Sequence, residues 1–163
     1  MLWFFFDTSA IVKRFHKEKG TEVVDKIVNS LLEGKHKGTV TPLVVLEFIS
    51  ASRRKVGSGE ISWKKFKDGV ASFLGESAGI FSFMSIESGT YTEAADYVIK
   101  YGLSAPDSIH LVSISKISQT VDKSKLILVS ADARLCNSAE QEGFRTLNPE
   151  HITDKKIEEV LAE

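Results

Sequence analysis

A chain of 163 residues, 42% hydrophobic and 26% charged, has the composition of one ordinary globular domain, long enough to bury a core without disulfides. Its formal net charge of −1 excludes a global field that would draw it to nucleic acid or membrane, so a polyanionic partner has to be held by a local basic patch. The single cysteine, Cys136, excludes an internal disulfide, fits a reducing compartment or simply low cysteine use, and reads as a small helical residue rather than a nucleophile.

Trp3-Phe4-Phe5-Phe6 is a continuous apolar run that ends abruptly in Asp7-Thr8-Ser9. Such a run reads as a strand buried on both faces, and Ala10 to Phe15 reads as a helix. Asp7 therefore falls at the carboxyl end of a central strand, where open α/β sheets gather their ligands. The start has no basic segment ahead of its apolar run, which argues against a signal peptide. No apolar run approaches the ~20 residues of a membrane span. The expectation is a cytoplasmic protein with no membrane partner.

Gly20 interrupts the pattern. Thr21 to about Glu33 reads as a helix with Val23, Val24, Ile27, Val28, Leu31 and Leu32 as its apolar stripe. Gly34 to Gly38 is a basic loop, Thr39 to Thr41 a short strand, and Pro42 suits the first turn of a helix from Leu43 to about Val56. Glu47 sits inside the apolar run of that helix, beside Val44, Phe48 and Ala51. A carboxylate aimed at covered ground without a partner is costly, and a bound cation resolves that cost.

After the turn at Gly57-Ser58-Gly59, Trp63, Phe66, Val70, Phe73 and Leu74 mark an amphipathic helix. Ile80 to Met84 reads as a strand, and Thr92 to Tyr101 as a helix stopped by Gly102. Ser104-Ala105-Pro106-Asp107 opens a helix through about Ser118. Lys125 to Ser130 is the second strong buried strand. Asp132 starts a helix that Gly143 ends, Phe144 to Leu147 is an edge strand, and Thr153 caps a short charged helix. Strands alternating with helices imply a parallel sheet covered on both faces.

Taken singly, each aspartate has a plain structural role: Asp7 or Asp132 as a helix cap, Asp107 as the capping-box partner of Ser104. Together, several carboxylates at one set of strand ends repel one another. Hard divalent cations relieve that repulsion, and an all-carboxylate set favours Mg²⁺ or Mn²⁺ over zinc. Ions held this way activate water and neutralise charge on a phosphodiester.

Four segments carry these acids in order: Asp7-Thr8-Ser9-Ala10-Ile11-Val12-Lys13, Glu47 in the helix after the second strand, Ala105-Pro106-Asp107-Ser108-Ile109-His110-Leu111, and Ser130-Ala131-Asp132-Ala133-Arg134-Leu135. On these residues the sequence resembles the PIN-domain family, and within it the VapC-type toxin ribonucleases of VapBC toxin–antitoxin pairs. The fourth segment departs slightly, with Ser130 for the commoner Thr and Leu135 for the commoner Phe. The resemblance covers nearly the whole chain. It implies a three-layer α/β/α sandwich with a central parallel sheet in order 3-2-1-4-5, built by residues 1–149, with 150–163 as a C-terminal turn and short helical tail on the same domain.

The resemblance further implies that Asp7, Glu47, Asp107 and Asp132 bind one or two Mg²⁺ or Mn²⁺ ions and catalyse hydrolysis of RNA phosphodiesters by water. Ser9 and Ser130 would orient an acid or the attacking water. Some relatives carry a further acid after the fourth segment, whereas here Ala133, Arg134, Leu135 and Cys136 follow. The helices around Val23–Leu32 and Trp63–Leu74 read as core-packing, and the family adds a homodimer contact and an antitoxin groove in this region. Lys13 and Arg14 follow the Asp7 segment directly and are the expected contacts to RNA phosphates. Single-stranded or looped RNA is the expected substrate.

Other chemistries fit less well. His16, His36, His110 and His151 lack zinc-ligand spacing, although His110 shares a helix face with Asp107. There is no phosphate-binding G-x-x-x-x-G-K-[ST] or G-x-G-x-x-G segment. A haloacid-dehalogenase-type phosphatase needs a second Asp where Ser9 stands, and a receiver domain needs an acidic pair where one acid is followed by Thr8. The remaining alternative is a PIN-like RNA-binding or protein-interaction module with little or no nuclease activity.

Overall fold

The aromatic strand β1 (Trp3–Phe6) is the middle of a five-stranded, all-parallel sheet in the computed structural model, which describes residues 1–163. β2 (Lys37–Val40) and β4 (Leu126–Val129) flank it, and β3 (Ser82–Phe83) and β5 (Arg145–Leu147) form the edges. The order β3-β2-β1-β4-β5 is the 3-2-1-4-5 arrangement expected from the sequence.

Successive side chains of a strand point to opposite faces, and β1 buries both. Phe4 and Phe6 enter a core shared with α1 (Thr8–Phe15), α2 (Thr21–Leu32), α3 (Leu43–Gly57), α4 (Trp63–Ile80) and α8 (Asp154–Leu161). Phe5 enters a second core with α6 (Ala105–Ile117) and α7 (Ala133–Gln141). β4 divides in the same way, with Ile127 and Val129 on one face and Leu126 and Leu128 on the other. α5 (Ser88–Tyr101) packs beside α6, completing a three-layer sandwich. No helix is long and apolar enough to cross a membrane.

The chain runs outward from β1 to β2 and β3, then returns to place β4 and β5 on the other side. That reversal between β1 and β4 opens a crevice at the carboxyl ends of the strands. Asp7 donates its backbone N–H to the Val129 carbonyl, and Ser130 donates its own to the Leu147 carbonyl. The first and fourth acidic segments therefore leave adjacent strands side by side.

Two element boundaries differ from the sequence reading. α4 continues to Ile80 and leaves β3 only two residues. Val70, Phe73, Ser77 and Ile80 keep an inward face at helical spacing, so Gly75 and Gly79 do not end it. α5 begins at Ser88 rather than Thr92. The stripe of α2 is core, with Val23, Val24, Ile27, Val28 and Leu31 buried and Leu32 exposed, whereas α4 leaves Trp63 and Leu74 exposed. The tail is anchored: Ile157 and Val160 of α8 enter the larger core, and Lys26 on α2 pairs with Asp154 and Glu158.

Candidate active site

Asp7 is the N-cap of α1 and is 3% exposed. Its Oδ2 accepts from the Ser9 backbone N–H (3.2 Å), the Ser9 hydroxyl (2.5 Å) and the Ser130 hydroxyl (2.9 Å). Each serine spends its one hydroxyl proton there. Each hydroxyl oxygen in turn accepts a backbone N–H from the fourth segment, Ser9 from Ala131 (2.9 Å) and Ser130 from Asp132 (3.0 Å). Both serine hydroxyls thus converge on one acid, Asp7.

Glu47 projects from α3. Its Oε2 accepts from the Thr8 hydroxyl (2.8 Å) and from His110 Nε2 (2.8 Å). His110 is fully buried, its Nδ1 lies 3.3 Å from Thr41 Oγ1, and its Nε2 lies 3.6 Å from Asp7 Oδ1. Burial opposes a charged imidazole, but the hydrogen bond to Glu47 and the charges of Asp7, Glu47 and Asp107 outweigh it, so the His110 pKa stands above its ordinary value. Burial likewise opposes ionisation of Glu47. Here His110, the Thr8 hydroxyl and the Arg54 charge prevail and lower its pKa.

Asp107 sits in the first turn of α6, where its Oδ2 accepts from the Ser104 hydroxyl (2.5 Å). Burial raises its pKa; the Ser104 hydrogen bond resists, but the charges of Asp7 and Asp132 add to the rise. Asp132 is the N-cap of α7, with Oδ1 accepting from the N–H groups of Arg134 (2.8 Å) and Leu135 (3.0 Å). Three helices thus begin at this crevice, and their N-termini favour negative charge.

The four carboxylates share a pattern. One oxygen of each is tied down by protein donors: Oδ2 of Asp7, Oε2 of Glu47, Oδ2 of Asp107 and Oδ1 of Asp132. The other oxygen of each accepts no protein hydrogen bond. All four residues line one cleft of about 750 Å³. An all-oxygen donor set of this kind suits a hard divalent cation, and burial, with the charges of Asp7 and Asp132 added to it, raises the pKa of Asp107, a cost that a cation relieves. As they stand, no three of the chain's His, Cys, Asp and Glu side chains are gathered closely enough to hold an ion. Each acid is held instead by its own hydrogen bonds.

The two cations expected beside Asp7 part company, because adjacent helical residues point about 100° apart. Lys13 lines the cleft but is buried, paired with Glu18 (2.9 Å) and Glu150 (2.5 Å). Arg14 does not line it and pairs with Asp25 on α2 (2.9 Å). The exposed cation in the cleft is Arg54, two turns beyond Glu47 on α3, with a Ser50 hydroxyl but no carboxylate as partner. That spacing of seven residues was the available signal for Arg54. His110 was signalled by its place one turn after Asp107. Nothing local announced Glu18 or Glu150. Cys136 is buried against the Ser130 carbonyl, and burial pushes its thiol up to about 11, which removes it as a nucleophile.

A family model described as PIN domain matches residues 4–141. Two solved structures share the fold. FitAcB from Neisseria gonorrhoeae aligns at 19% identity with a TM-score of 0.57, over 91% of this chain and 99% of that one. PAE2754 from Pyrobaculum aerophilum aligns at 16% identity with a TM-score of 0.59, over 99% of this chain and 98% of that one. No curated protein matches the chain.

Proposed function

Since this chain belongs to the PIN domain family, whose members are typically nucleases, we propose that it is an Mg²⁺- or Mn²⁺-dependent endoribonuclease with Asp7, Glu47, Asp107 and Asp132 as its catalytic acids. The observation that carries this reading is the shared pattern of four carboxylates from four separate segments, each with one anchored and one open oxygen, lining a single cleft. The open oxygens would hold one or two ions. When bound, a divalent ion supplies Lewis-acid charge against a phosphodiester oxygen and makes water a better nucleophile at neutral pH.

The chain's own residues do the positioning. Ser9 and Ser130 hold Asp7 by Oδ2 and leave Oδ1 without a hydrogen-bond donor. Thr8 and His110 do the same for Glu47, leaving Oε1 available. A carboxylate of the quartet receives the proton of the attacking water. Arg54, exposed and without an acidic partner, meets a phosphate of single-stranded or looped RNA. On the resemblance of the four acidic segments, the chain is the toxin of a type II toxin–antitoxin pair. Its expected partners are then an antitoxin protein and a second copy of itself, in the cytoplasm.

The competing reading is a PIN-like RNA-binding or protein-interaction module with little or no cleavage. It draws on one observation: no three acidic side chains stand in coordinating positions. Incubating the purified protein with RNA in Mg²⁺ or Mn²⁺, with EDTA, and with Asp7→Asn or Asp107→Asn separates the two. The nuclease cleaves only with metal and only with both aspartates intact. Cleavage that survives EDTA or either substitution rejects the mechanism, and binding without cleavage favours the module.

A further inference from the structure

Lys13 is the group in the cleft that the nuclease reading leaves unused. It lies one turn beyond Ser9 on the same face of α1. Only 2% exposed, it donates from Nζ to Glu18 Oε1 at 2.9 Å and to Glu150 Oε1 at 2.5 Å. The two acids are not equivalent. Glu18 also has Lys55 on its other oxygen (2.7 Å), whereas Lys13 is the sole cation on Glu150.

From Glu150 a chain of hydrogen bonds leads back to the catalytic acids. The Glu150 backbone N–H donates to Asn148 Oδ1 (2.9 Å), and Asn148 Nδ2 donates to the Ala131 carbonyl (3.4 Å). The Ala131 N–H donates to Ser9 Oγ (2.9 Å), which donates to Asp7 Oδ2 (2.5 Å). This circuit begins and ends on α1 and encloses the turn that carries Asp132. The C-terminal turn is also pressed from outside. Gly20 has φ of +88°, and a Cβ there would meet the Pro149 carbonyl oxygen at 2.9 Å, so the backbones touch.

We propose that Lys13 is a positioning residue: by pinning Glu150 it holds the turn Asn148–Glu150 against α1, and through Asn148 and Ala131 it sets the separation of Asp132 from Asp7. A lysine kept for RNA phosphate would leave its ammonium open to the strand. This one is buried between two carboxylates, one of them 137 residues away in the chain.

Hydrogen exchange on the full chain tests this, with Lys13→Met, Lys13→Arg, Glu150→Gln and the Lys13→Met/Glu150→Gln pair. Amide exchange at residues 148–153 accelerates at least about tenfold in Lys13→Met and in Glu150→Gln. The double variant goes no further than Lys13→Met, since both remove one interaction. Lys13→Arg recovers part of the protection. Mn²⁺ affinity, measured by calorimetry, falls severalfold in the same variants. Should Lys13→Met fail to fold, Glu150→Gln, at the more exposed partner, carries the exchange test alone. Unchanged exchange at 148–153, or effects that simply add, overturns the proposal. Loss of RNA affinity with unchanged exchange would make Lys13 a phosphate contact instead. Only the Mn²⁺ arm rests on the nuclease reading, so a failure of that reading leaves the exchange arm intact.

Discussion

At one end of the cleft, Asp7, Glu47, Asp107 and Asp132 are held by serine and threonine hydroxyls, backbone N–H groups and a single buried imidazole. At the other end, Lys13, Glu18 and Glu150 hold one another by ion pairs, and Lys55, outside the cleft, pairs with Glu18 as well. The first end fixes each carboxylate by one oxygen and leaves the second oxygen open. The second end satisfies its charges internally. Hydroxyl and backbone donors orient Asp7, Asp107 and Asp132 without cancelling their charge, and the one imidazole, whose raised pKa favours its charged form, serves four acids, so this end keeps its attraction for cations. An end built from ion pairs has spent that attraction on joining distant segments of chain.

Substitutions at the two ends should differ in kind. The largest effect belongs to Asp7→Asn or Asp132→Asn, which should lower RNA cleavage by more than the roughly 10–100-fold typical of groups that act through a ligand. Ser130→Ala should fall within that roughly 10–100-fold range with the fold intact, because Asp7 loses a hydroxyl donor and the Asp132 N–H loses its acceptor. Comparable cleavage by Ser130→Ala and wild type would break the claim that neutral donors set the acids.

Arg54→Ala should weaken RNA binding and reduce the salt slope by about one counterion, whereas Arg14→Ala should leave both unchanged. The reverse result would move the RNA path to the α2 side of α1.

The smallest effect concerns pH. Burial opposes ionisation of Glu18, but Lys55 and Lys13 hold its pKa below the ordinary carboxylate value. A folded-state pKa that is lowered contributes stability above the unfolded value and loses it as pH falls through the folded one. Glu18→Gln should therefore lower the melting temperature near neutrality and flatten its decline on the acid side. An acid limb as steep as that of wild type would show that the pair contributes nothing.

Much of the acidic end was legible in the sequence because each acid breaks a local pattern. Asp7 stops an apolar run, Glu47 interrupts an apolar helix face, and Asp107 and Asp132 open helices. The parallel sheet followed from strands alternating with helices, and its order from the resemblance. The paired end was not legible, because Lys13 and Glu150 meet only after the sheet has formed and neither breaks any local pattern. Arg14 could have been set apart from Lys13 by helical geometry alone, since neighbours on a helix do not share a face. The extent of α4 was obscured by the apolar run from Ile80 to Met84, which reads as a strand although Ile80 still belongs to the helix.

The central claim, that ionised Asp107 is unfavourable in the folded cleft until a cation joins the acids, is tested most directly by melting wild type and Asp107→Asn in EDTA and in millimolar Mn²⁺. The raised pKa of Asp107 means that its charge disfavours the folded state at neutral pH. In EDTA the variant should melt above wild type, because it removes a charge that the folded state disfavours. In Mn²⁺ the wild type should rise by several degrees, because the ion binds only the folded site, and the variant should rise little, so that the order reverses. Equal shifts in both proteins, or no shift in wild type, would contradict the claim.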